Sequence, residues 1–244
     1  MKSLSILIPI YNEEESLQAL FDELKFSFEN NQSIEIIFIN DGSSDMSQKV
    51  IENEIANHST WKLINLYRNY GKSVALQSGI DIASNELIAT LDGDLQDDPK
   101  ELINLVRELN EDDVIVGWKK DRLDPLEKKI ASKIFNFFIK LFSGLKIKDS
   151  NSGIKVLKKE VAKSLNLYGG RHRYIPLLAH QKGFNVKEIP VNHRERKFGK
   201  SKYGAERYKH GFFDFMTILF LGKYMDRPLH LSLIHISEPT RRRH

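Results

Sequence analysis

The chain has 244 residues, 41% hydrophobic and 29% charged, and contains no cysteine. This excludes a disulfide-stapled mini-protein and a cysteine-ligated zinc module, and it allows one large domain with a sizeable core. The net charge of +4 conceals a division: residues 1–118 carry 8 basic and 22 acidic side chains, residues 119–230 carry 26 and 10, and the last fourteen carry 3 and 1. An acidic half suits metal ions or plain solvation, whereas a basic half suits phosphates or an anionic surface.

The opening MKSLSILIPIYNEEE sets one Lys before a short apolar run and three acids after it, which is not the pattern of a signal peptide. Apolar runs at 4–9, 34–40, 61–66, 86–91 and 113–118 predict strands. Amphipathic patterns at 14–28, 45–56, 72–83 and 99–109 predict the helices between them, with Pro99 in a first helical turn. Such alternation with short loops predicts an α/β fold, a mostly parallel sheet with helices on both faces. Ligands of such sheets bind beyond the carboxyl ends of the strands.

The polar clusters fall at those ends. They are Pro9–Glu13 after the first strand, Asn40–Asp45 after the second, Tyr67–Lys72 after the third and Asp92–Asp98 after the fourth. One rim therefore gathers most of the unusual chemistry. Asp92 and Asp94, one residue apart after an apolar strand interrupted only by Thr90, can turn toward one hard cation such as Mg2+ or Mn2+. The competing reading makes this an acidic turn, with Asp97 or Asp98 capping the next helix. Asp41 suits the edge of a base or a ribose, and Tyr11 with Glu13 suits a nucleoside. Ser44 or Asp45 is expected to cap the helix that follows. Gly71-Lys72-Ser73 resembles the end of a P-loop, but Leu66 stands where the first glycine is required, so an ATPase is excluded.

In the second half, 126–142 places six apolar residues on one helical face and four lysines largely on the other, which predicts an interfacial helix. Strands follow at 154–157 and 184–191. A basic, glycine-containing stretch at 193–203 has the composition of a clamp for a diphosphate, and 212–224 reads as a strongly apolar helix. Its longest uncharged run, 215–222, is far short of the ~20 residues that cross a bilayer. A nucleic-acid-binding role for the basic half leaves Asp92 and Asp94 unexplained, so no nucleic-acid partner is expected.

Eight blocks in order carry a resemblance: IPIYNEEE (8–15), NDGSSD (40–45), RNYGKSVALQSG (68–79), LDGDLQDDP (91–99), GWKKDRLDP (117–125), DSNSGIKVL (149–157), HRYIP (172–176) and EIPVNHRERKFGKSKYG (188–204). Together they resemble the family 2 glycosyltransferases of GT-A fold. The similarity is to the polyprenyl-phosphate group, which includes dolichyl-phosphate mannose synthase and the undecaprenyl-phosphate sugar transferases.

The resemblance implies a metal-dependent, inverting transfer from a UDP- or GDP-sugar to a polyprenyl phosphate. The work would be done at the cytoplasmic face of a membrane. It implies a nucleotide-sugar pocket of Pro9, Tyr11, Glu13, Asp41 and Asp92. Asp94 and Gln96, with Asp92, would ligate Mg2+ or Mn2+, and Arg196 and Lys202 would meet the diphosphate. Asp92, Asp94 and Arg196 are thus the expected catalytic residues. Lys119, Lys128 and Ser132 fall where the group binds the acceptor phosphate, with Lys at the first two where Arg is expected. The alternative is a family 2 enzyme acting on a polysaccharide or soluble acceptor. The expected organisation is a catalytic domain over 1–200 (donor half 1–118, acceptor half 119–200) and juxtamembrane helices over 201–230. The tail 231–244 reads as translated adaptor sequence, and the relatives' course past residue 230 implies membrane helices and a homo-oligomer contact.

Overall fold

A computed structural model describes residues 2–28, 31–119, 144–145, 147–149, 151–192, 194 and 213–220. The expectations placed on Lys128, Ser132, Arg196, Lys202, the helix at 126–142 and the tail lie outside these residues.

Seven strands form one sheet: β1 (Leu4–Ile10), β2 (Ile34–Asn40), β3 (Trp61–Asn65), β4 (Leu87–Thr90), β5 (Val114–Lys119), β6 (Lys155–Lys158) and β7 (Val186–Val191). Their order is β3-β2-β1-β4-β6-β5-β7. All pairings are parallel except the two made by β6, which runs against both β4 and β5. Reversed, β6 brings its beginning, not its end, to the rim where the other strands finish. Between the strands lie α1 (Glu14–Phe28), α2 (Ser47–Ile55), α3 (Lys72–Ile82), α4 (Glu101–Glu108), α5 (Lys159–Ser164), a 3-10 turn at Arg171–Tyr174 and α6 (Ile175–Gln181).

Strand parity builds the two faces, since neighbouring side chains point to opposite sides. Ile6, Ile8, Ile36 and Phe38 pack with Leu17, Phe21 and Leu24 of α1 and with Leu102 and Leu105 of α4. Leu7, Ile37 and Ile39 pack on the other side with Leu76 and Ile80 of α3, Val161 of α5 and Ile175 of α6. A third cluster joins Tyr174 and Leu177 to Phe215 and Ile218 of the helical stretch 213–220.

Two expectations shift. Pro99 precedes α4 rather than lying in its first turn, and the N–H of Glu101 donates to the Asp98 carbonyl at 3.0 Å. Of the two capping candidates, Asp98 accepts the Lys100 N–H at 3.0 Å, whereas Asp97 turns inward to 2% exposure.

Phe21 is fully buried, with its ring centroid 5.6 Å from Phe38 at an edge-on angle and 6.0 Å from Trp61. Phe21→Ala is expected to destabilise the chain by about 3–5 kcal/mol through the cavity it leaves. Urea unfolding measures this.

Candidate active site

The first two rims are knitted together by their own short polar side chains. Asn12, in left-handed backbone (φ 50), accepts the Ser44 N–H at 2.8 Å through Oδ1, and its own N–H donates to Ser43 Oγ at 3.0 Å. The N–H of Glu13 donates to Ser47 Oγ at 3.0 Å, and Glu14 Oε2 accepts the Met46 N–H at 2.8 Å. Asp45 Oδ1 accepts the Ser47 N–H at 3.0 Å as a local turn, but the N-cap position of α2 falls to Met46 with no side-chain cap, so the capping expected of Ser44 or Asp45 is not made.

Asp41 is thereby left to organise the third rim. Its two oxygens accept the N–H groups of Tyr70 and Gly71 at 2.8 and 2.9 Å. Burial pushes its pKa above the ordinary carboxylate value, partly offset by those two donors. Gly42, at φ 67, lets the two loops touch: a Cβ there would lie 2.3 Å from the Arg68 carbonyl carbon.

These loops enclose an open cleft of about 150 Å³. Pro9, Tyr11, Glu13, Asp41, Asp92 and Asp94 all line it, so six of the expected donor residues come together. Asn69 and Lys72 line it as well. Lys72 had been weighed only as a P-loop remnant. Its ammonium pairs with Asp92, a contact whose signal was the position of Gly71-Lys72 at a strand end opposite an acid-rich loop. Burial alone would raise Asp92. Lys72, with help from Lys119 and Lys155, outweighs that and holds it at about 2.

From Leu91 to Pro99 burial alternates residue by residue. Asp92, Asp94 and Gln96 stand on the more exposed side, and Gly93, Leu95 and Asp97 are buried. Asp94 Oδ1 accepts the Gln96 N–H at 3.2 Å. Asp92 and Asp94 line the cleft and Gln96 is not among its lining residues; the two carboxylates are hard-oxygen donors, which fit Mg2+ or Mn2+ as a partial sphere. Among the described residues, no three Asp, Glu, His or Cys side chains are grouped as a complete protein cage. The remaining ligands of such an ion would therefore come from a phosphate and water.

The second half of the chain reaches the same place. Thr90, the one polar residue of β4, donates to the Gly153 carbonyl at 2.6 Å. A Cβ at Gly153 would lie 2.7 Å from both Asp92 Oδ2 and Asp97 Oδ2. The two carboxylates thus share the space that this glycine leaves. Asp97 Oδ1 is 3.3 Å from the Lys119 ammonium. Lys155, 3% exposed, donates to the Ser152 carbonyl, and burial with the nearby Lys72 lowers its pKa to about 8. Asp149 is also buried, its N–H donating to Glu188 Oε1 at 2.8 Å.

His172 closes the far side. Its backbone N–H donates to Ser73 Oγ at 3.0 Å, and that hydroxyl is 2.9 Å from its Nδ1. The Oγ has one proton and two lone pairs, so it serves the backbone N–H and Nδ1 together and ties the ring to the start of α3. Burial first, then Lys72, Arg173 and Lys155, hold the ring well below its ordinary 6.5. Lys155 and His172 both lie in motifs noted in the sequence, but neither had been given a role. At the root of the basic stretch, Arg194 points away from the expected diphosphate. It pairs with Glu23 at 2.7 Å and with Asp98.

Two outcomes follow from this packing. Gly153→Ala is expected to force the Asp92 and Asp97 carboxylates apart and weaken Mn2+ binding on the order of tenfold, read by electron paramagnetic resonance alongside a melting curve. Because the folded state depresses His172, protonation favours the unfolded chain. Stability is therefore expected to fall as pH drops below about 6.5, and His172→Gln to flatten the urea midpoint between roughly pH 7 and pH 5.

Comparisons with known proteins agree with this geometry. The family model described as "Glycosyl transferase family 2" matches residues 5–165. A dodecaprenyl-phosphate galacturonate synthase of Rhizobium johnstonii is 35% identical over 234 residues, covering 93% of this chain and 69% of that protein. An undecaprenyl-phosphate 4-deoxy-4-formamido-L-arabinose transferase of Yersinia pestis is 36% identical over 224 residues, 90% of this chain and 68% of the other. Among solved structures, a mannosyltransferase from Pyrobaculum calidifontis in complex with GDP-mannose and Mn2+ superposes with a TM-score of 0.64 at 15% identity, over 85% of this chain and 60% of that one. The glucosyl-3-phosphoglycerate synthase of Mycobacterium tuberculosis, in complex with Mn2+, UDP-glucose and glycerol 3-phosphate, gives 0.62 at 15% identity over 82% and 73%. Those two likenesses concern the fold, which is GT-A. The domain match and the identity to curated polyprenyl-phosphate sugar transferases establish that the chain belongs to the family 2 glycosyltransferases and is a glycosyltransferase.

Proposed function

We propose that the protein transfers a sugar from a UDP- or GDP-sugar to a polyprenyl phosphate, with a divalent cation and with inversion at the anomeric carbon. The observation that carries this reading is the cleft at the strand ends, where Asp92 and Asp94 stand with Lys72. The 35–36% identity to two transferases that use such lipid carriers supports the acceptor class.

In this reading Pro9, Tyr11, Glu13 and Asp41 hold the nucleoside, and Asp92, Asp94 and Gln96 hold Mg2+ or Mn2+. The ion, when bound, neutralises charge on the departing nucleoside diphosphate. Lys72 stands beside Asp92 and supplies a second positive charge to the same region, and Arg196 and Lys202 are assigned to the diphosphate by resemblance. Lys119, Lys128 and Ser132 are assigned to the acceptor phosphate. A phosphate is already anionic near neutral pH, so the nucleophile needs no strong general base. What the protein must do is hold two anions together in line, a task of position and field.

Attachment at a membrane surface, at its cytoplasmic face, belongs to the same proposal. The helical stretch 213–220 buries Phe215 and Ile218 against the domain while Phe213, Met216 and Phe220 are 45–68% exposed, a composition suited to lipid. Among the described residues no helix is long and apolar enough to cross a membrane.

The test is transfer from a panel of UDP- and GDP-sugars, with and without polyprenyl phosphate, in Mn2+, Mg2+ or chelator. Transfer to the lipid that needs the metal and falls at least ~100-fold in Asp94→Ala is expected, the scale of losing one electrostatic stabiliser. Transfer only to a soluble acceptor, or full activity in chelator, would overturn the corresponding part.

A further inference from the structure

The segment that carries Asp92, Asp94 and Gln96 is held from beneath at two points. One is Leu95, 2% exposed in the core and in left-handed backbone at φ 61. A branched residue persists in that region only when its surroundings impose it. The other point is Asp97, whose side chain is 1% exposed and whose carboxylate is 3.3 Å from the ammonium of Lys119, itself 15% exposed. Lys119 ends β5, a strand paired on both sides, through β6 and through β7 up to Lys119 itself. Pairing with β6 stops at Val116, so at Lys119 the strand is held by β7 through Val191.

We propose that Lys119 is a positioning residue for the donor side. Through Asp97 it fixes the segment that presents Asp92 and Asp94 to the cleft. This rests on the reading of that cleft as the metal and donor site, and it gives Lys119 a duty distinct from any contact with the acceptor phosphate. The argument is one of charge in a confined space. Asp97 Oδ2 and Asp92 Oδ2 each lie 2.7 Å from one point, the Cβ position of Gly153, so they are at most twice that distance apart. Remove the Lys119 ammonium and Asp97 loses the cation 3.3 Å from it, leaving Lys72 and Lys155 to answer both carboxylates. Relief comes from outward movement of Asp97, which shifts the adjoining Gln96 and, through the Gln96 N–H held by Asp94 Oδ1, the Asp94 carboxylate as well.

The test measures Mn2+ binding to the 244-residue chain by electron paramagnetic resonance with UDP or GDP present, and binding of geranyl phosphate separately. Lys119→Met is expected to weaken Mn2+ binding on the order of tenfold, and Lys119→Arg to restore most of it. The double variant Asp97→Asn/Lys119→Met is expected to bind Mn2+ better than Lys119→Met alone, because it removes the anion beside Asp92 together with the cation. Native Mn2+ binding by Lys119→Met, with only geranyl phosphate weakened, would overturn the inference and leave the acceptor assignment standing. An equal loss in the single and double variants would also overturn it. If the native chain binds no Mn2+ with either nucleotide, the metal-dependent reading fails and takes this inference with it. Should Lys119→Met not fold, Asp97→Asn decides: weakened Mn2+ binding at unchanged circular dichroism supports the anchor, and unchanged binding refutes it.

Discussion

Two carboxylates occupying the space above one glycine set the terms for the rest of the rim. Asp92 and Asp97 both reach the position that a side chain at 153 would fill. Like charges so placed, with Asp97 buried, are tolerated only among cations. Three lysines answer them, each from a different element: Lys72 at the start of α3, Lys119 at the end of β5 and Lys155 at the start of β6. The depressed value of Asp92, near 2, and that of Lys155, near 8, are two sides of this arrangement. The acid is kept charged by its neighbours, while the buried lysine is strained by burial and by Lys72.

The opposite charges of the two halves of the chain take on a second meaning here. Part of the positive excess after residue 118 is directed inward, where Lys119 and Lys155 meet acids contributed by the first half. The division therefore describes an interlock as well as two ligand preferences. The loops on the donor side are fastened by a different means, neutral and short-ranged. Asn12, Ser43, Ser47 and Asp41 bond to backbone N–H groups of neighbouring loops. A ligand entering this cleft meets groups that are already fixed, which lowers the cost of ordering on binding.

Much of this was readable in the sequence because it depends on periods. Strands of the first half alternate with amphipathic helices, and ends of parallel strands share a rim by topology, so Pro9, Tyr11, Glu13, Asp41, Asp92 and Asp94 could be placed together before any coordinates. The reversal of β6 was not readable. A four-residue strand, Lys155–Lys158, has no sequence feature that states its direction, so the arrival of Gly153 and Lys155 at the rim was hidden. Asp97 and Asp98 both suit a helix cap, because acids before a helix commonly serve as one, yet the turn through left-handed Leu95 leaves 97 inward and Asp98 to bond Lys100. Lys72 escaped notice for a similar reason: a comparison with one phosphate-binding motif drew attention from its position. His172 needed a partner ninety-nine residues away, Ser73, to show its place beside α3.

The reversed strand also decides where variation is cheap. β5 finishes at the rim with Lys119 and β6 begins there with Lys155, so the connection of residues 120–154 departs from and returns to the mouth of the cleft. Both of its tethers are embedded in the sheet, and neither crosses the floor of the molecule. Under the proposed function, length and chemistry between these two tethers can change to suit another recipient of the sugar while the tethers, the acids and the two helical layers stay as they are.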